Sequence, residues 1–181
     1  MWPPGPRGAL LEPPTHQHRR RGRTMSSVIT TYLQDHHAGS AGGVAAFRRV
    51  AEFHGDETVR EEVGRMAREV ERDQAALERI MAAVGVEPAV LKDLPAKAAE
   101  KAARLKPNER LNRRSPLSDI EELEALVAAV HMKGLGWRLL LEAPDDRLDT
   151  DMLRDLHARA LEQERTLERL RLDQARKLTQ S

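Results

Sequence analysis

Apolar residues recur at helical spacing over four stretches that fall two and two around a connection of roughly 30 residues, far beyond the 2–8 usual between bundle helices. Residues 28–54 carry Ile29, Leu33, Val44, Phe47 and Ala51 on one face. Residues 58–84 carry Val59, Val63, Met66, Val70, Leu77, Ile80 and Val84. The third stretch, 116–142, presents Ile120, Leu123, Val127, Val130, Trp137 and Leu141; the fourth, 150–178, presents Met152, Leu156, Ala160, Leu167 and Leu170. A face repeating at i, i+3, i+4 and i+7 is an amphipathic helix that needs partners to bury it. Short bends within each pair make antiparallel hairpins. The long connection must return along the bundle. The expected fold is therefore all-α: an antiparallel four-helix bundle with a long crossover between helices 2 and 3, which sets helix 3 parallel to helix 2.

Punctuation agrees with this division. Ser26 or Ser27 can cap the first helix. Gly55 is expected to end it in the left-handed conformation. Asp56 or Thr58 can cap the second helix, Thr58 making a capping box with Glu61, and Gly85 closes it. The crossover holds Pro88, Pro95, Pro107 and Pro116, with room for a short helix from Ala96 to Leu105. Ser115 before Pro116 is an N-cap followed by a first-turn proline. Ala143-Pro144 stops the third helix, and Asp149 or Thr150 starts the fourth.

Composition removes several classes. Aromatic residues are 3% of the chain and charged residues 33%, with Ala, Leu, Glu and Arg dominant, which suits helices and not sheets. Net charge is +1, so no global field marks a nucleic-acid or membrane-surface protein. The longest apolar run, Ala125 to Val130, is far short of the ~18 residues of a membrane span. There is no cysteine, hence no thiolate chemistry, which fits a reducing cytosol; a cytoplasmic location is expected. Residues 1–24 differ in kind, rich in proline with Arg19, Arg20, Arg21 and Arg23, and Met25 follows directly. They read as a disordered tail or a gene-model extension, leaving 25–181 as the bundle.

Polar residues on apolar faces are the places to look for chemistry. His36 or His37, Asp73 and Gln163 interrupt such faces, and His131 lies at the edge of another. His37 and Asp73 each stand 18 residues from Gly55, so a hairpin folded about Gly55 would bring them level and into hydrogen-bonding distance. End-to-end alignment would put His131 within about one 5.4 Å turn, with Glu69 one turn from Asp73. Imidazole and carboxylate suit iron, manganese or zinc. The competing reading is a hydrogen-bonded polar layer that fixes register. Di-metal carboxylate bundles use Glu-x-x-His, and no such motif occurs in this chain. Arg72 follows Glu69 by three residues and Arg165 follows Glu162 likewise, where a cation would oppose a metal. Gly39, Gly42 and Gly43 each weaken the first helix by about 1 kcal/mol, and close helix approach is the expected compensation. The crossover carries eight basic residues against four acidic ones but no interleaved aromatics, which argues for a solvated strip over a nucleic-acid interface.

At Tyr32-Leu-Gln-Asp-His-His-Ala-Gly-Ser-Ala-Gly-Gly-Val44 and Leu105-Lys-Pro-Asn-Glu-Arg-Leu-Asn-Arg-Arg-Ser-Pro-Leu117 the chain resembles an uncharacterised family of bacterial hypothetical proteins, from about Ser27 to Leu178. The wider resemblance is to ferritin-like bundles, which implies that fold together with iron oxidation or storage. The Glu-x-x-His positions that such activity requires have no match here. The leading expectation is a non-catalytic helical scaffold or interaction protein, as a homo-oligomer or with a protein partner, and without a cofactor. The alternative is a metal-binding or ferroxidase-like protein using His37, Asp73, Glu69 and His131 as an atypical cluster for iron, manganese or zinc. A third class is an anion- or nucleic-acid-binding bundle using the basic crossover.

Overall fold

The computed structural model describes residues 26–88, 116–143 and 145–179. Among the described residues there are four helices and no strand: α1 (Ser27–Phe53), α2 (Glu57–Val84), α3 (Pro116–Glu142) and α4 (Thr150–Leu178). These bounds match the apolar periodicity closely. The tail 1–24, the proposed short helix at Ala96–Leu105 and the Ser115 cap lie outside the described residues.

The starts of α1, α2 and α4 are each set by a side-chain oxygen taking an orphan N–H. Ser26 Oγ accepts from Val28 N at 3.3 Å, Asp56 Oδ1 from Val59 N at 3.2 Å, and Asp149 Oδ1 from Met152 N at 3.0 Å. The end of α2 is a Schellman closure. Gly85 adopts φ 74°, Gly85 N donates to Ala82 O, and Val86 N donates to Met81 O at 2.8 Å. Val86 and Met81 are both buried, the apolar contact that accompanies this motif. Arg147 Nη1 then donates to Val84 O at 3.0 Å, placing a cation on the negative end of α2.

The end of α1 is built differently from expectation. Helix α1 stops at Phe53, and His54 caps it in an extended conformation with φ −60° and ψ 142°. Gly85 is the sole glycine with positive φ among the described residues, so Gly55 is not left-handed. Its role is spatial: a Cβ there would come within 2.7 Å of Asp119 Oδ2. The buried His54 ring organises this turn. Its Nδ1 accepts from Asp56 N at 3.1 Å, which leaves Nε2 to donate to Asp119 O at 3.3 Å. The first hairpin is thereby tied to the start of α3.

Helix α1 packs on α2 and α3 on α4; the two pairs then meet through α1 against α3 and α2 against α4. Neighbours run in opposite directions. Late α1 meets early α3 at Arg49–Glu122 (2.8 Å), and early α1 meets late α3 where His36 Nε2 faces Met132 O at 3.2 Å. Early α2 meets late α4 at Asp56–Lys177, and its far end meets the turn before α4 at Val84–Arg147. Leu33, Phe47, Val63, Met81, Leu123, Leu126, Leu153 and Leu167 fill the centre. Each such side chain contributes roughly 1.5–3 kcal/mol on removal from water. The cluster Gly39, Gly42 and Gly43 does not mediate close approach, because a Cβ at any of the three would meet nothing within 4 Å. A tight approach occurs at Gly136, where a Cβ would stand 2.8 Å from the His36 ring, whereas at Gly134 a Cβ would make ordinary contact with Ala160 Cβ at 3.6 Å.

Candidate functional site

Asp73, Lys133 and Gln163 share one sequence position in disguise. Each falls three residues after a buried apolar residue (Val70, Val130, Ala160) and four before another (Leu77, Trp137, Leu167). Helical geometry therefore turns all three inward, onto a single layer midway along the bundle. Asp73 is 1% exposed and Gln163 2%, while the Lys133 side chain is 16% exposed.

The layer is a connected network. Lys133 Nζ donates to Asp73 Oδ2 at 2.6 Å and to Gln163 Oε1 at 2.5 Å. The Gln163 amide then donates through Nε2 to Glu69 Oε2 at 2.8 Å. The Arg159 guanidinium lies 3.2 Å from Asp73 Oδ1, within ion-pair range but outside hydrogen-bond geometry, so this oxygen takes charge compensation without a hydrogen bond. Two cations, Lys133 and Arg159, balance two anions, Asp73 and Glu69. Burial pushes the Lys133 ammonium pKa below its ordinary value, and the charge and hydrogen bond of Asp73 oppose that shift. One turn along α3, the buried Trp137 Nε1 has no hydrogen-bond partner among the described residues.

The four residues of the metal reading do not converge. Asp73 and Glu69 belong to this layer. His37 does not reach Asp73; its Nε2 lies 3.2 Å from Glu78 Oε1 on the flank of the first hairpin. His36 turns to Met132 O and stacks beside Tyr32, ring centroids 4.3 Å apart. The reason is register. The pairs Arg48–Glu71, Ser40–Gln74 and His37–Glu78 centre the hairpin between residues 57 and 60, not on Gly55. The extended cap and turn at 54–56 displace α2, so equal distance from Gly55 is not equal height. His131 is near the right height but on the outer surface, with Nδ1 3.1 Å from Glu164 Oε1. Two residues on, Lys133 takes the inward position.

No group of three or more His, Cys, Asp or Glu side chains that could hold a metal occurs among the described residues. Of the carboxylates in this layer, Asp73 is paired with Lys133 and Arg159, and Glu69 accepts from the Gln163 amide. The inward-facing residues among those described thus do not fit a di-metal centre. The cations responsible are not those expected. Arg72 is exposed, and Arg165 pairs with Glu162 on the surface at 3.3 Å. Lys133, Arg159 and His54 are absent from the sequence reading. For Lys133 a signal exists, since it fills the gap in the buried stripe between Val130 and Trp137. For Arg159 none does, because it sits beside that stripe on α4. The basic strip of the crossover falls mostly within 89–115, outside the described residues. Among the described residues no helix is long and apolar enough to cross a membrane. No protein-family model, curated protein or solved structure matches the chain.

Proposed function

We propose that this chain is a non-catalytic scaffold or interaction protein with a ferritin-like bundle, its crossover running the length of helices 2 and 3. The two-and-two helix pattern, with α3 beginning beside the turn that ends α1, supports the ferritin-like layout. The observation that carries the functional part is the Lys133 ammonium seated between Asp73 and Gln163. It supplies within the chain the positive charge that inward carboxylates require. A balanced, hydrogen-bonded layer of this kind fixes helix register. The metal-binding alternative would require His37 to leave Glu78, His131 to leave Glu164, and Lys133 to leave the layer.

Metal analysis of protein purified without a His-tag tests the reading. Far less than one equivalent of iron, manganese or zinc is expected, and a chelator should leave the melting temperature unchanged. Stoichiometric metal whose removal lowers the melting temperature would overturn it.

A further inference from the structure

The side of the bundle formed by α1 and α3 carries outward apolar residues along its whole length. On α3, Met132, Leu135 and Leu139 are 54%, 46% and 39% exposed, and Leu117, near the start, is 59% exposed. Between them stand exposed Ala128 and Ala129 and half-buried Ala125. On α1, Ala41, Gly42 and Ala45 are exposed and Ala46 is half-buried, with Phe53 56% exposed at the end. The contacts of His36 with Met132 O and of Arg49 with Glu122 set the register of the two helices. Gly42 is then level with Ala128 and Ala129, and Ala46 with Ala125. The side is large at the Met132 end, small in the middle and large again at Phe53 and Leu117. A helix face that is apolar over such a length is one that is covered.

The described ends of the crossover show which segment passes this side. The chain leaving α2 turns onto α1, where Gln34 Nε2 donates to Glu87 O at 3.0 Å. Helix α3 begins beside the far end of α1, where His54 Nε2 donates to Asp119 O. Residues 89–115 must therefore travel from the level of Gln34 to that of His54, about 30 Å along α1, and they would reach about 40 Å even if wholly helical. The groove on the other side, between α2 and α4, is lined near its end by Asp56, Arg169, Asp173 and Lys177, charges in place of apolar surface. The order of sizes within 89–115 matches the α1–α3 side. Leu91 and Leu94 come first, Ala98 and Ala102 next, Leu105 and Leu111 last. From Leu91 to Leu105 these residues recur at spacings of three and four, one face of a helix, with Lys97, Glu100 and Arg104 on the other.

We propose that residues 89–115 cross the outer face of α1 and cover the α1–α3 side. Leu91 and Leu94 lie against Met132, Leu135 and Leu139; Ala98 and Ala102 pass over Gly42 and Ala128; Leu105 and Leu111 run towards Phe53 and Leu117. Small residues on both surfaces let the backbones approach in the middle, and a methyl at Gly39 or Gly42 would only match the alanines beside it. The basic residues of the segment stay on its outer side, near exposed Asp35 and Glu121. This placement rests on the lengthwise crossover of the ferritin-like layout and is independent of the metal-free reading, which metal analysis tests separately.

The chain has no cysteine, so introduced pairs report without background. In the full chain, Leu94→Cys/Leu135→Cys and Ala102→Cys/Ala128→Cys are oxidised beside two controls. Ala102→Cys/Arg72→Cys reads the exposed edge of α2 that adjoins α4, one turn from Glu69 and its Gln163 partner. Leu11→Cys/Leu135→Cys reads the N-terminal residues. Intramolecular disulfides are expected at least tenfold faster in the first two pairs than in either control. Trypsin should cut the parent slowly within 89–115 and Leu135→Glu at least tenfold faster, at equal helix content by circular dichroism and at rates independent of protein concentration. A control pair that closes as fast as the first two overturns the placement; the Arg72 pair would do so while leaving a lengthwise crossover intact. So does cleavage equally fast in parent and Leu135→Glu, or protection that grows with protein concentration, the sign of a second copy on this face.

Discussion

Replacing Lys133 by Met keeps the side chain long and apolar but removes the ammonium that holds Asp73 and Gln163. Asp73 is 1% exposed, so the stranded carboxylate cannot turn to water. Removing one partner of a buried ion pair costs about 3–5 kcal/mol. Arg159 remains 3.2 Å from Asp73 Oδ1 and moderates the loss, which places the expected cost near the lower end, about 3 kcal/mol. At ~2–4 °C per kcal/mol for a chain of this size, the melting temperature should fall by about 6–12 °C. The informative partner is Lys133→Met/Asp73→Leu, which deletes both charges. Arg159 is one-third exposed and can swing outward, so the double variant should recover to within about 1 kcal/mol of the parent. Urea unfolding at neutral pH, fitted with a common slope, measures both values. A single variant within about 0.5 kcal/mol of the parent, or a double variant as costly as the sum of its parts, would refute the argument that Lys133 neutralises a buried carboxylate.

Other expectations follow from glycines, the histidine cap and one shifted carboxyl. Gly39→Ala/Gly42→Ala should stabilise by about 1–2 kcal/mol in the same unfolding assay, because both sites are open and alanine favours helix. Gly136→Ala should gain less than either, since its Cβ would stand 2.8 Å from the His36 ring, which must give up its contact with Met132 O to make room and so offsets a propensity gain of about 1 kcal/mol. If both sites respond alike, the contrast drawn from spacing is wrong. His54→Leu strands the Asp56 N–H and removes the tie from His54 to Asp119 O, and should cost about 1–3 kcal/mol by thermal or urea unfolding. The Lys177 hydrogen bond holds the Asp56 carboxyl at about 2, below its ordinary 3.8. A depressed carboxyl contributes stability above its unfolded pKa and loses it as pH falls through the folded value, here between about pH 4 and 2. The site is at the wet end of the bundle, so the contribution is at most about 1 kcal/mol. Asp56→Asn keeps a cap oxygen and should flatten the stability profile in that window; an unchanged profile would dismiss the Lys177 pair as a contributor.

Sequence alone determined the helices and most of their described ends, the end of α1 excepted, because both depend on local physics. A 3.6-residue apolar period forces a buried stripe, and Ser26, Asp56, Gly85 and Asp149 act within one turn of where they stand in the chain. It also determined that Asp73 and Gln163 face inward, since each interrupts an otherwise apolar stripe. What those residues meet was decided by the tertiary structure. The turn through His54, Gly55 and Asp56 shifted the hairpin by a few residues, and a shift of that size carried His37 past Asp73 to Glu78. The same holds for His131 and Lys133, two positions apart and about 200° around α3, of which packing against α2 and α4 chose the lysine. The glycines make the point again. Their cost to a helix is local, but whether a neighbour stands close enough to require one is a property of the neighbour, and it does at Gly136 and not at Gly42. Periodicity gives each helix a direction to face; the partner found there depends on angstrom-scale register between helices, which no single helix encodes.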